Sequence, residues 1–144
     1  MNLQRILVVC VGNICRSPMA ASLLQQALPG RDVSSAGLGA LVGSDMDPVA
    51  RSVALAHGHA VPQHKARQFT AALSQWADLI LVMEARHREA VTEICPAARG
   101  KTMLLAQGMT PEDIPDPYRK SEAVHRAVQV TIEQACTNWV RRLR

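Results

Sequence analysis

A chain of 144 residues that is 48 % hydrophobic is long enough to bury a sizeable core, and 1–144 reads as a single domain. No apolar run approaches the roughly 18 residues of a membrane span, and the amino terminus lacks the basic start, apolar core and small-residue cleavage site of a signal peptide, so a cytoplasmic protein is expected. The net charge of +4 suits acidic partners, but at 3 % aromatic content base-stacking platforms are scarce, which argues against nucleic acid as the partner.

The first element is a strand predicted over 3–10, where Ile6, Leu7, Val8 and Val9 give the apolar, β-branched pattern of a strand buried on both faces. Cys10 stands at its carboxyl end. In the turn that follows, Val11-Gly12-Asn13-Ile14-Cys15, Gly12 and Asn13 are the residue types that adopt positive φ most easily. Such a turn can curl and aim successive backbone N–H groups inward as an anion nest. Ser17-Pro18 reads as an N-cap and a first-turn proline, opening a helix over 18–28 with Ala20, Leu23, Leu24, Ala27 and Leu28 at helical spacing. The helix's positive end, the nest and the planar guanidinium of Arg16 then surround one point, with the Cys10 thiol at its floor. A phosphoryl group fits that pocket. The same field favours thiolate over thiol and makes Cys10 a candidate nucleophile, with the Ser17 hydroxyl placed to stabilise the thiolate as attacker and as leaving group. A plain strand-to-helix turn leaves the Gly, Asn, Arg, Ser and Pro of this segment unexplained.

Further strands are predicted near 32–36, 78–83 and 101–105, and helices near 47–58, 85–94 and 121–142. This alternation implies an α/β three-layer sandwich, a four-stranded parallel sheet flanked by helices with the phosphate-binding loop after the first strand. Ligands of such sheets bind at the carboxyl ends of the strands, where Cys10 lies. The last helix is expected to bury Val124, Ala127, Val128, Ile132, Ala135, Trp139 and Leu143 on one stripe.

The 106–120 stretch is expected to lie as a loop over the same edge of the sheet. Its Pro115-Asp116-Pro117-Tyr118 supplies a carboxyl group that can protonate a departing alkoxide or phenolate, with Glu112 and Asp113 as competitors for the role. The five histidines offer no convincing ligand spacing; His57 with His59 comes nearest, and no metal is expected. His87 and His125 read as exposed helix positions, and Trp76 and Trp139 as packing residues. Cys10 and Cys15 share one short loop, where a permanent disulfide would abolish the nucleophile, so they read as a reversible redox pair. Cys95 reads as a small surface or packing residue and Cys136 as part of a helix core.

Cys10 to Pro18, together with Asp116-Pro117-Tyr118, resembles the low-molecular-weight protein tyrosine phosphatases. The resemblance extends through Ser35-Ala36-Gly37, Asp47-Pro48, His64 to Gln68 and Asp78 to Met83, and so covers nearly the whole chain. It implies that Cys10 attacks phosphorus while Arg16 and the amides of Val11, Gly12, Asn13, Ile14 and Cys15 hold the phosphoryl oxygens. Asp116 would protonate the leaving tyrosine and then activate the water that hydrolyses a phosphocysteine intermediate, with Ser17 assisting thiolate departure and no cofactor or metal required. It also implies a supporting network of Asn13, Ser35 and His64, and a pocket mouth lined by Leu41 and Tyr118.

Animal members carry a second tyrosine after the Asp-Pro and an aromatic wall, where this chain has Arg119 and the segment Leu38 to Gly43. Both departures resemble the bacterial branch paired with autophosphorylating tyrosine kinases of capsule and exopolysaccharide export, which makes such a kinase the expected partner. Bacterial relatives acting on phosphoarginine hold a threonine where this chain has Ile14, an apolar residue that suits an aromatic ring. Arg119 and Lys120 are placed to steer acidic sequence toward the site. The rival readings are a thiol-dependent arsenate reductase, which needs further closely spaced cysteines, and a binding protein that captures phosphotyrosine or phosphate without turnover.

Overall fold

Strand β1 (Arg5–Cys10) forms because it is the middle of the molecule: Ile6 to Val9 have no solvent exposure. The structure, a computed structural model, describes residues 3–144. β1 pairs in parallel with β2 (Asp32–Gly37) on one side and β3 (Leu79–Val82) on the other, and β4 (Thr102–Leu104) completes a sheet of order β2-β1-β3-β4. The twofold alternation of a strand divides its side chains between two cores. Ile6, Val8 and Cys10 pack with Leu24 of α1 (Arg16–Ala27), Ala50 of α2 (Pro48–Ala56) and Ile132 of α5 (Glu122–Leu143). Leu7 and Val9 pack on the other face with Leu73 of α3 (Ala71–Trp76), Val91 of α4 (Ala85–Ile94) and Ala98 of a 3-10 turn, Pro96–Lys101. The sheet is therefore the middle layer of three, and its carboxyl edge carries Cys10.

Two short elements lie outside the periodicity of the sequence. α3 has six residues and owes its start to the Thr70 hydroxyl, which accepts from the Leu73 amide at 3.2 Å. The 3-10 turn is likewise too short to leave a repeating apolar pattern.

Four expectations are corrected. α1 begins at Arg16, so Ser17 lies inside its first turn and makes no cap bond; its hydroxyl is committed to the loop instead. Gly12 does not take positive φ, whereas Asn13 does at 59°. The buried stripe of α5 includes His125 and Gln129 and leaves Ala127 exposed, because the face turned to the sheet drifts with the 3.6-residue period onto 125, 128, 129, 132, 135, 136, 139 and 140. His87 and His125 are buried, not exposed: His87 packs against Glu84, and the His125 ring faces the Asp47 carboxylate at 4.0 Å. Cys136 and Trp139 are buried as expected, the Trp139 indole N–H donating to the Leu105 carbonyl at 2.8 Å.

Candidate active site

The loop from Cys10 to Cys15 is shaped from outside by its carbonyl groups. Those of Cys10, Val11 and Gly12 accept from the amides of Leu38, Gly39 and Leu41 at 2.9, 3.0 and 3.1 Å. The Ile14 carbonyl accepts from the Asp47 amide at 2.9 Å, and His64 Nε2 donates to the Asn13 carbonyl at 2.6 Å. With every carbonyl from residue 10 to residue 14 tied outward, the amides are turned to the concave side, as an anion nest requires. Gly37 makes this approach possible: a Cβ there would stand 2.3 Å from the Val11 carbonyl oxygen.

Asn13 sits at the centre of the support. Its left-handed backbone is one that asparagine tolerates better than most residues. Its Nδ2 donates to Ser17 Oγ at 2.8 Å and to Ser35 Oγ at 3.0 Å, and its Oδ1 accepts from the Arg67 amide at 2.9 Å. Because Ser17 Oγ already accepts from Asn13, its own proton is free for Cys10 Sγ, 2.8 Å away. The expected Asn13, Ser35 and His64 network is thus assembled, and it ends at the sulfur.

Arg16 is 1 % exposed and held from behind. One terminal nitrogen donates at 2.7 Å both to Glu84 Oε2 and to the Ile114 carbonyl, while the other lies 3.8 Å from Asp116 Oδ2. Its buried Nε has no hydrogen-bond partner among the described residues. An orphaned charged donor beside an inward-facing nest is what an oxyanion would satisfy. Burial works to raise the Glu84 carboxyl, but the hydrogen bond and charge of Arg16 prevail and hold it below the ordinary glutamate value. His87 Nε2 lies 3.2 Å from the same carboxylate oxygen without an aligned hydrogen bond. Burial and the neighbouring Arg16 bring this imidazole down to about 4, so it is neutral at pH 7.

A cavity of about 150 Å³ opens over the loop, lined by Cys10 to Arg16 with Gly39, Leu41, Asp116 and Tyr118. Of the three acids on the 106–120 loop, only Asp116 lines it. Glu112 accepts from the Gly108 amide and Asp113 from the Ala85 amide, so both serve local structure. Asp116 Oδ1 accepts from the Tyr118 amide at 3.0 Å, and its side chain is 44 % exposed at the rim. The Cys15 thiol also lines the cavity, and burial, followed by the negative charges of Asp47, Cys10 and Asp116, pushes it far up. Glu84 and His87 were not singled out from sequence. Glu84 could have been, since it follows Met83 at the carboxyl end of β3, where site residues of parallel sheets collect.

His57 and His59 both reach Glu133 of α5, at 3.4 and 2.5 Å. Among the described residues, no group of three or more His, Cys, Asp and Glu side chains could hold a metal ion. No helix of the described residues is long and apolar enough to cross a membrane.

Residues 5–144 match the profile of the low molecular weight phosphotyrosine protein phosphatases. The chain belongs to that family. It is 50 % identical over 140 residues to the low molecular weight protein-tyrosine-phosphatase Wzb of Salmonella typhimurium, covering 97 % of this chain and 94 % of that one. The tyrosine phosphatase Wzb of Escherichia coli K30, solved with sulphate, superposes with a TM-score of 0.96 at 44 % identity over 99 % of both chains. Vibrio vulnificus Wzb, solved with benzylphosphonate, gives 0.94 at 46 % identity over 99 % of this chain and all of that one. As in the fold of the low molecular weight tyrosine phosphatases, the phosphate-binding loop follows β1 and leads into α1. The expected four-stranded parallel sheet, with that loop after its first strand, is the fold it adopts.

Proposed function

We propose that this phosphatase, acting as one domain over 1–144, removes phosphate from protein phosphotyrosine through Cys10, Arg16 and Asp116. The observation that carries the reading is the outward tying of all five loop carbonyls around a buried Arg16 whose Nε is unpartnered. Phosphotyrosine enters with its phosphoryl oxygens on the amides of Val11 to Cys15 and on Arg16, and its ring between Ile14, Leu41 and Tyr118. Cys10 Sγ forms a bond to phosphorus as the bond to the phenolic oxygen breaks, and Asp116 gives that oxygen its proton. Asp116 then takes a proton from a water that attacks the phosphocysteine; the P–S bond breaks, inorganic phosphate leaves and the Ser17 hydroxyl receives the returning thiolate. Sulphate and benzylphosphonate bound to the two Wzb proteins support an oxyanion and an aryl group as occupants of the corresponding pocket.

The expected substrate is an autophosphorylating bacterial tyrosine kinase that controls exopolysaccharide or capsule production, met in the cytoplasm. The Leu38 to Gly43 segment and Arg119-Lys120, where the animal pattern has aromatic residues, support that assignment. The reductase reading is not favoured, since Cys95 packs on the opposite face of the sheet from Cys10 and Cys136 is buried on the core face of α5. Phosphate release from matched phosphotyrosine, phosphoserine and phosphoarginine peptides in EDTA, with wild type and Cys10→Ser side by side, tests the reading. Release from phosphotyrosine alone, abolished in the variant, is the expected result. Preference for phosphoarginine would overturn the substrate, and Cys10-independent release would overturn the mechanism.

A further inference from the structure

A second cavity, about 410 Å³ and open to solvent, lies behind the catalytic loop and shares no lining residue with the first. It runs along β2, the outer strand of the sheet on that side. Its floor is apolar, from Pro18 and Ala21 of α1, Val33 of β2 and Val61. Lys65 and Arg67 stand on its rim, no aspartate or glutamate lines it, and neither cation forms an ion pair among the described residues. An apolar floor under uncompensated positive charge suits one class of ligand, an organic anion with an apolar body, and the volume lies within the usual range for small-molecule sites.

Three residues that line this groove are direct partners of Asn13. Ser35 Oγ accepts from its Nδ2, the Arg67 amide donates to its Oδ1 and His64 Nε2 donates to its carbonyl. The Arg67 side chain is tied in as well, its Nε donating to the Ser35 carbonyl at 3.0 Å. Asn13 in turn lines the catalytic cavity and holds Ser17 against Cys10. Asn13 thus lines the first cavity while its backbone carbonyl and side chain are hydrogen-bonded to residues that line the second.

We propose that the groove is an effector site for an amphiphilic organic anion, which lowers turnover by drawing Arg67 and His64 away from Asn13. The regulatory half of the proposal rests on the reading of Cys10 as the nucleophile; the binding half does not. An anion engaging Arg67 competes with the Ser35 carbonyl, so the backbone that fixes Asn13 Oδ1 loses its anchor. The loop then loses part of its preformed shape without any competition for the phosphoryl pocket. Coupling of this kind is a free energy shared between two distinct sites, and typical values change the second site's behaviour fivefold or more.

The probe is 8-anilino-1-naphthalenesulfonate, whose fluorescence reports binding without turnover. The full chain is titrated with and without saturating orthovanadate to occupy the Cys10 pocket, and Lys65→Glu and Ser22→Trp serve as groove variants. Lys65 is exposed, and Ser22 lines the groove from α1 outside the Asn13 network, so both variants keep wild-type turnover without probe. The expected result is saturable binding that persists under vanadate with affinity lowered by a finite factor, as reciprocal coupling requires, and that is weakened at least about tenfold by Lys65→Glu and by Ser22→Trp. With p-nitrophenyl phosphate, kcat falls at least about fivefold at saturating probe while KM changes less. Complete displacement that grows without limit with vanadate, binding unaffected by both variants, or binding with unchanged kcat would each overturn the proposal. Cys10→Ser keeps the two readings apart: it abolishes turnover if Cys10 is the nucleophile, yet must still bind the probe if the groove is a site.

Discussion

The loop that would hold phosphate and the loop that would move the proton are built on opposite terms. From Cys10 to Ile14 each carbonyl is tied by a donor from another segment, and Arg16 behind them is buried and fixed by Glu84 and Ile114. Asp116 hangs on an exposed stretch with one hydrogen bond, to the amide two residues on, and a 3.8 Å approach to Arg16. Charge that must be stabilised in the transition state is met by dipoles arranged in advance, because reorganising them during reaction would cost part of what they supply. A proton donor and acceptor must meet both a leaving group and an incoming water, and an open rim position gives it access to each.

The comparison breaks most severely if the rigid half is disturbed. Arg16→Lys removes the fork that spans Glu84, Ile114 and the loop, and puts one compact ammonium in its place. Loss of kcat/KM by about 10³ is expected, together with weaker inhibition by inorganic phosphate, since ground state and transition state both lose a donor. Steady-state kinetics with phosphate as inhibitor reads both effects; an unchanged phosphate inhibition constant would remove Arg16 from the binding role.

Asp116→Asn tests the open half and should leave phosphate binding alone. kcat on phosphotyrosine is expected to fall by about 10²–10³, and by much less on an aryl phosphate whose phenol leaves easily without a proton. A uniform fall across leaving groups would contradict its role as acid. Glu84→Gln returns to the rigid half with a smaller effect than either. The acceptor stays but its charge goes, so Arg16 keeps a hydrogen bond that is weaker by about 1 kcal/mol, and kcat should fall about fivefold to tenfold. Recovery of wild-type kcat in Glu84→Asp would show that charge at that point, rather than reach, is what Arg16 needs.

Sequence makes the reacting residues of both halves legible, Asp116 included, and hides most of what holds the rigid one in place. Cys10, Asn13, Arg16 and Ser17 are adjacent, and each residue type is demanded locally, by nucleophilicity, by left-handed backbone, by a forked donor and by a hydroxyl. Of the five outward ties only that of His64 is expected; the other four come from the backbone amides of Leu38, Gly39, Leu41 and Asp47, which any residue but proline could supply. Ser-Pro at a helix start satisfies the capping rule equally well, and only the approach of Asn13 and Cys10 redirects the Ser17 hydroxyl to the loop. Glu84 and His87 lie 68 and 71 positions beyond Arg16 on another strand-helix junction, where no spacing links them to the loop. His87 also sits in a helix rich in polar residues, yet it is buried with its ring nitrogen 3.2 Å from the Glu84 carboxylate.

The smallest expected effect isolates what the rigid half costs in acid. In the open chain His87 ionises near 6.5, whereas burial and then Arg16 bring it to about 4 in the folded protein. Between those values the unfolded chain takes up a proton that the folded one refuses, so stability falls as pH drops through this window and the His87 contribution is constant above and below it. The loss carried by this one residue is at most about 3 kcal/mol, and the depressed Glu84 carboxyl adds its own loss at still lower pH. His87→Leu removes the proton uptake and both unpartnered ring nitrogens, so at pH 7.5 it should lie within about 1 kcal/mol of wild type. Urea unfolding at pH 7.5 and 4.5 should then show wild type losing more stability than the variant between the two. Equal losses would mean that the imidazole takes up no extra proton on unfolding in this window, and would overturn its depressed titration.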